Sequence, residues 1–202
     1  KAVLTGSPIR QELLTGDAEH AFSLCHFKDH SKQTILIVGG SSGSRIINTA
    51  IRGLLPELLK NYNVIHLCGK DNLDETLTET TGYAQFEYAN KELSDMFALA
   101  DLVISRAGAN AICELLALRK PNILIPLSAA ASRGDQILNA NSFRSQGFSY
   151  VLEEEDLSNT TLLEAIEHVF QKKEEYIKAM ENSNSRNSID TIIGLILDAS
   201  KK

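Results

Sequence analysis

Residues 102–127 read LVISRAGANAICELLALRKPNILIPL. An apolar run over 102–104 stops at Ser105-Arg106, and the tight turn Ala107-Gly108-Ala109 follows. Residues 110–118 carry helical spacing, Lys120-Pro121 breaks it, and a second apolar run covers 123–126. The order is strand, turn, helix, strand. Four polar side chains, Ser105, Arg106, Asn110 and Glu114, gather where the first strand ends and the helix begins. In open α/β sheets ligands bind at that end of the strands. Free backbone N–H groups at a helix N-terminus also suit a phosphate. Spacing alone leaves both a plain βαβ unit and a nucleotide site open.

The alternation continues on both sides. Residues 34–38 form an apolar, β-branched run, as a buried parallel strand requires. The run enters Gly39-Gly40-Ser41-Ser42-Gly43-Ser44-Arg45, after which Ile46, Ile47, Ala50, Ile51, Leu54 and Leu55 recur at helical spacing. Further strands are expected at 63–68, 85–89 and 149–152. Helices are expected at 71–80, 91–99, 160–180 and 188–197, with short helical pieces over 10–27. Six strands alternating with helices predict an α/β fold, a Rossmann-like parallel sheet with helices on both faces.

Glycines in the 39–43 turn let backbone amides approach an anion at a helix start. The turn lacks the Gly-Lys-Ser/Thr of a Walker loop and the spacing of a dinucleotide fingerprint. Glycines placed only for tight strand–helix packing would look the same. Thr5-Gly6-Ser7-Pro8-Ile9-Arg10 reads as a turn, either a linker or a means of bringing Arg10 to a phosphate or base. Asp135 and Asn139 share a helix face with Gln136 alongside. Such side chains suit sugar hydroxyls, which need donors and acceptors, although capping and solvation would use them equally.

Composition narrows the function. With 43% apolar residues the chain is globular rather than disordered. A formal charge of −6 argues against a broad nucleic-acid surface. Cys25, Cys68 and Cys113 are odd in number and widely spaced, which points to free thiols rather than disulfides or a metal site. The histidines form no metal-binding cluster. No apolar run reaches membrane-spanning length, and no signal peptide is expected at the N-terminus. The acidic run Glu153-Glu154-Glu155-Asp156 reads as a solvated turn.

Four segments in order, TGSPIR, GGSSGSR, SRAGANAICE and RGDQILNA, resemble the C-terminal donor half of MurG-type glycosyltransferases, two-domain enzymes of the GT-B fold in glycosyltransferase family 28. Ser7 replaces an Asn of the family pattern, Ser44 a common Ala, and Asp135-Gln136 a pair of glutamines, so the sugar contacts depart from the pattern. The resemblance implies one division: residues 1–32 a linker and N-terminal helical segment, 33–182 the donor-binding domain, and 183–202 a helix packing on an N-terminal half. It implies transfer of GlcNAc from UDP-GlcNAc to lipid I with inversion, giving lipid II for peptidoglycan. No cofactor and no metal are implied.

The resemblance also assigns residues. Gly40, Ser41, Ser42 and Gly43 would face the diphosphate, as would the helix start at Arg106, Gly108, Ala109, Asn110 and Ala111. Glu114 would accept from the ribose hydroxyls, and Arg10 would join the donor site. Ala89 and Asn90 would meet uracil through backbone groups, in a register fixed to within a residue or two. Asp135, Gln136 and Asn139 would read the sugar. The catalytic base and the lipid I surface would belong to the N-terminal half, with the whole enzyme cytoplasmic and peripheral at the inner membrane face. Alone, this chain would bind donor weakly and turn nothing over. Ile192, Ile193, Leu195 and Ile196 could then drive self-association. Two alternatives stay open: another GT-B enzyme of UDP-sugars, such as a glycolipid glycosyltransferase or an epimerase, and a non-catalytic nucleotide-sugar-binding subunit.

Overall fold

The computed structural model describes the chain except residues 1, 2, 4, 7, 41, 130, 132, 133, 184–187, 201 and 202; of residues 188–190 it describes the backbone alone. At its centre β1, Gln33–Val38, pairs in parallel with β2, Tyr62–Leu67, on one side and with β4, Leu102–Ser105, on the other. Beyond β2 lies β3, Tyr83–Phe86; beyond β4 lie β5, Asn122–Leu124, and β6, Tyr150–Val151. The sheet is six-stranded, in the order β3-β2-β1-β4-β5-β6, and every pair is parallel. The order reverses between β1 and β4, so the two chain segments leaving those strands diverge and open a crevice.

Alternate strand residues face opposite ways, and both faces are covered. Leu36, Ile65, Val103 and Leu124 pack with α1, Ala18–Leu24, α3, Glu92–Leu99, α4, Ala109–Leu118, and α5, Asp135–Ser145. Ile35, Ile37, Val64, Leu102, Ile104 and Ile123 pack with α2, Arg45–Asn61, and α6, Asn159–Gln171. The chain then crosses sides. At Lys172 the backbone leaves helical geometry (φ −108°, ψ 18°), and α7, Lys173–Glu181, brings Met180 to the α1–α3 side. The single helix expected over 160–180 is therefore two. One straight helix could not serve both faces of the sheet.

Other expectations also need correction. Residues 71–80 are not a helix but turns around a short 3-10 segment, Glu75–Leu77. The Asp74 carboxylate accepts from the Thr76 N–H and hydroxyl, and Gln85 bonds both backbone groups of Asp74. Such side-chain bonds offer the backbone an alternative to the helix. The third strand starts at Tyr83 and ends at Phe86, earlier than the expected 85–89. The fifth ends at Leu124 rather than 126. The short helical pieces expected over 10–27 take the form of the 3-10 turn Gln11–Thr15 and α1, and Leu13, Ala21, Phe22, Cys25 and Phe27 are buried in the same core as α3. The last helix, α8, Ser188–Ser200, carries exposed Ile193, Leu195, Ile196 and Leu197. Among the described residues no helix is long and apolar enough to cross a membrane.

Candidate functional site

The site begins where β1 stops. Gly40 and Gly43 both take positive φ, +91° and +71°, and Gly43 N–H closes the turn on the Gly40 carbonyl at 3.0 Å. Ser44 then caps α2, its hydroxyl accepting from the Ile47 N–H. Across the crevice β4 ends at Ser105, and Gly108, in extended conformation, precedes α4 without a side-chain cap. Two helices of ten residues or more therefore start side by side at the reversal point. Their first N–H groups and dipoles favour an anion.

A cavity of about 550 Å³ lies between these starts. Of the expected residues it brings together Gly40, Ser42, Gly43, Arg106, Gly108, Ala111 and Gln136. Ser41 falls outside the described residues. Ala109, Asn110, Asp135 and Asn139 are not in the described lining, although the first two form the exposed opening of α4 and Asp135 the exposed opening of α5. Gln136 accepts from the Leu127 N–H at 3.1 Å, and Asn139 donates to the Ala107 carbonyl at 3.0 Å. These bonds dock α5 against both neighbouring strand ends. Ala89 is half-buried and Asn90 exposed just after β3, on the far side of β2.

Arg106 is the centrepiece of the cavity floor. It is buried, and both terminal nitrogens are engaged: one donates to the Ile125 and Pro126 carbonyls at 3.1 and 3.2 Å, the other to the Ser44 hydroxyl at 2.7 Å. The second also ion-pairs with Glu154. The guanidinium thus joins the ends of β4 and β5 to the start of α2. Glu154 corrects the reading of a solvated acidic turn: its side chain is only 9% exposed and lines the cavity. Nothing in a run of four acids distinguishes the one that turns inward. Ser44 and Ile46 also line the cavity without having been singled out as site residues; a serine just before a helical apolar pattern was the available hint for Ser44.

Arg10 and Glu114 meet from opposite ends of the sequence. The Arg10 guanidinium grips both carboxylate oxygens, at 3.0 and 3.2 Å. Arg10 is largely exposed and Glu114 half-buried on α4. Such a planar two-point pair orients the carboxylate strongly. Among the described residues no cluster of three or more His, Cys, Asp or Glu is placed to hold a metal ion. Cys25 and Cys68 are buried free thiols, and Cys113 is half-buried; burial pushes the Cys25 pKa up to about 12.

Comparison with known proteins adds the chemistry. Residues 34–193 match the family described as glycosyltransferase family 28 C-terminal domain. The chain is 61% identical over 196 residues to the UDP-N-acetylglucosamine--N-acetylmuramyl-(pentapeptide) pyrophosphoryl-undecaprenol N-acetylglucosamine transferase of Lachnoclostridium phytofermentans, covering 97% of this chain and 55% of that protein. The protein of the same name from Clostridium novyi is 54% identical over 97% of this chain and 55% of its own length. The chain therefore spans about half the length of the curated relatives it matches. Among solved structures, Acinetobacter baumannii MurG superposes with a TM-score of 0.69 at 20% identity, over 98% of this chain and 57% of that one. A UDP-GlcNAc 2-epimerase from Neisseria meningitidis, solved with UDP-GlcNAc bound, gives 0.62 at 13% identity, over 89% of this chain and 48% of that one. At such identities the likeness is one of fold.

Proposed function

The chain belongs to glycosyltransferase family 28, and from that premise we propose that it is the donor half of an inverting N-acetylglucosaminyltransferase that converts lipid I to lipid II. The observation that carries this is the pair of helix starts, α2 and α4, converging on one cavity at the sheet reversal. The names of relatives above 50% identity support the choice of donor and acceptor.

In this reading the diphosphate of UDP-GlcNAc lies across the openings of α2 and α4. As the glycosidic bond breaks, negative charge grows on the leaving UDP. Fixed N–H groups aimed at that charge stabilise the transition state without reorganising. Glu114 accepts from the ribose hydroxyls, exchanging them for or sharing them with Arg10. Asn90 and Ala89 offer backbone groups to uracil. Gln136, Asp135 and Asn139 stand on the sugar side, two of them already oriented by their backbone bonds. Arg106 acts beneath the donor, holding three element ends in register. Inversion also needs a base on the acceptor hydroxyl. That base and the lipid surface belong, in this proposal, to the N-terminal portion of the relatives, which places the complete enzyme at the inner face of the cell membrane.

Calorimetric titration of the chain and of Glu114→Ala with UDP, UDP-GlcNAc and UDP-glucose tests the reading. Binding of UDP and UDP-GlcNAc by the parent is expected, with a loss of roughly ten-fold or more in Glu114→Ala, since hydrogen bonds to a charged group are worth about 1.5–3 kcal/mol. A preference for UDP-glucose would move the chain to another donor class. Fusion to the N-terminal portion of the Lachnoclostridium relative is expected to restore turnover of lipid I. A folded fusion that binds donor but transfers nothing would count against the proposed reaction.

A further inference from the structure

Behind the cavity the structure buries a polar chain that the donor-site reading does not use. His66, on β2, is fully buried. Its Nδ1 lies 2.9 Å from the Tyr83 hydroxyl and its Nε2 3.0 Å from Asn48 Oδ1. Asn48 in turn donates from Nδ2 to the Cys68 carbonyl at 2.9 Å. The last bond sets the direction of the others. An amide donating through Nδ2 presents Oδ1 to the imidazole, so Nε2 carries the hydrogen. Nδ1 is then the acceptor, and the Tyr83 hydroxyl donates to it. Burial, with a smaller push from the Arg52 charge, drives the His66 pKa down to about 3, which keeps the ring neutral.

The chain ends at the glycine-rich loop. The Cys68 carbonyl abuts Gly43: a Cβ on Gly43 would overlap that oxygen, and one on Gly69 would overlap the Gly43 nitrogen. Asn48 lies one turn after Ser44, and its own N–H takes the Ser44 carbonyl at 2.8 Å. Asn48 thus ties the first turn of α2 to the residue that follows β2, and Cys68 and Gly69 there abut Gly43. An imidazole and an amide at core positions are costly unless every polar atom is paired. Fully paired, they permit one arrangement of the elements that carry them.

We propose that Asn48 and His66 are positioning residues for the donor diphosphate. They hold Gly43 and the opening amides of α2 where the phosphates need them, without touching the ligand. The proposal deepens, and rests on, the donor-site reading above.

The test uses two ligands that differ only in the diphosphate. UDP and uridine are titrated into the chain and into Asn48→Ala, followed by backbone amide shifts. Asn48→Ala is expected to weaken UDP about ten-fold and uridine by no more than about two-fold. A folded Asn48→Ala that binds UDP like the parent overturns the proposal, as does an equal loss of both ligands, which a merely structural role would give. A parent chain that binds neither ligand overturns the donor-site reading, and this inference with it. Long-range proton–nitrogen spectra of the parent chain supply a second readout that needs no variant to fold. A neutral His66 with hydrogen on Nε2 throughout the range from pH 5 to 8 is expected at roughly this burial. Hydrogen on Nδ1, or a ring titrating near its ordinary value of 6.5, overturns the chain as drawn.

Discussion

At the scale of single residues, the site is governed by polar side chains that were readable as polar but not as buried. Arg106 stood out in the sequence because it interrupts an apolar run at a strand end. Its use did not: the guanidinium faces into the protein, spanning Ser44, two carbonyls and Glu154. Its partner is distant in sequence, and only folding brings a member of the 153–156 acidic run beneath it. A pair with side chains 11% and 9% exposed is dry enough for the loss of one partner to matter. Glu154→Gln keeps the shape and removes the charge. Stability to urea is expected to fall by about 2 kcal/mol, the size of a hydrogen bond to a charged group and less than a fully broken buried pair. UDP affinity is expected to rise in the same variant, because the Arg106 charge below the cavity is no longer offset. An unchanged unfolding midpoint would mean that the pair is worth no more than a surface one.

At the scale of elements, the strands and long helices were legible because period and apolarity agree. Residues 34–37 and 102–104 are buried on both faces, and their largely apolar runs say so. Where local chemistry competes, the reading failed. The 71–80 segment is rich in Asp, Asn and Thr, whose side chains capture the backbone before a helix can. The glycine-rich loop lies between these cases: its glycines were visible, but not which of them the fold requires. Gly40 and Gly43 both have positive φ, yet a Cβ meets nothing within 4 Å at Gly40 and strikes the Cys68 carbonyl at Gly43. Gly40→Ala should therefore carry only the cost of a left-handed residue, about 1 kcal/mol. Gly43→Ala adds a backbone collision and should cost about 3 kcal/mol or more. Chemical denaturation of the two variants side by side checks this, and equal losses would mean that contact with Cys68 does not constrain Gly43.

At the scale of the whole molecule, the parallel pairing follows from chain alternation but the strand order does not, and the reversal between β1 and β4 explains why two loops far apart in sequence share one cavity. Three of the four segments that carry the family resemblance are legible for that reason, because they lead into the starts of α2, α4 and α5, and the fourth joins them through Arg10, which pairs with Glu114 on α4. What they could not convey was how the C-terminal helix is disposed. On α8, Ile193, Ile196 and Leu197 fall at spacings that share one helical face, and each is roughly half exposed or more. Contiguous apolar surface of this kind is a liability in water unless another surface covers it. The chain spans about half the length of its relatives, and the proposed cover is the N-terminal portion that those relatives possess. Sedimentation of the chain alone should then show a weight-average mass that climbs with concentration. Ile193→Asp with Ile196→Asp should hold it at the monomer, and so should fusion to the N-terminal portion of a relative, which leaves α8 unchanged but gives it a surface to lie on. A chain that stays monomeric at every concentration would show that α8 finds its cover within this half.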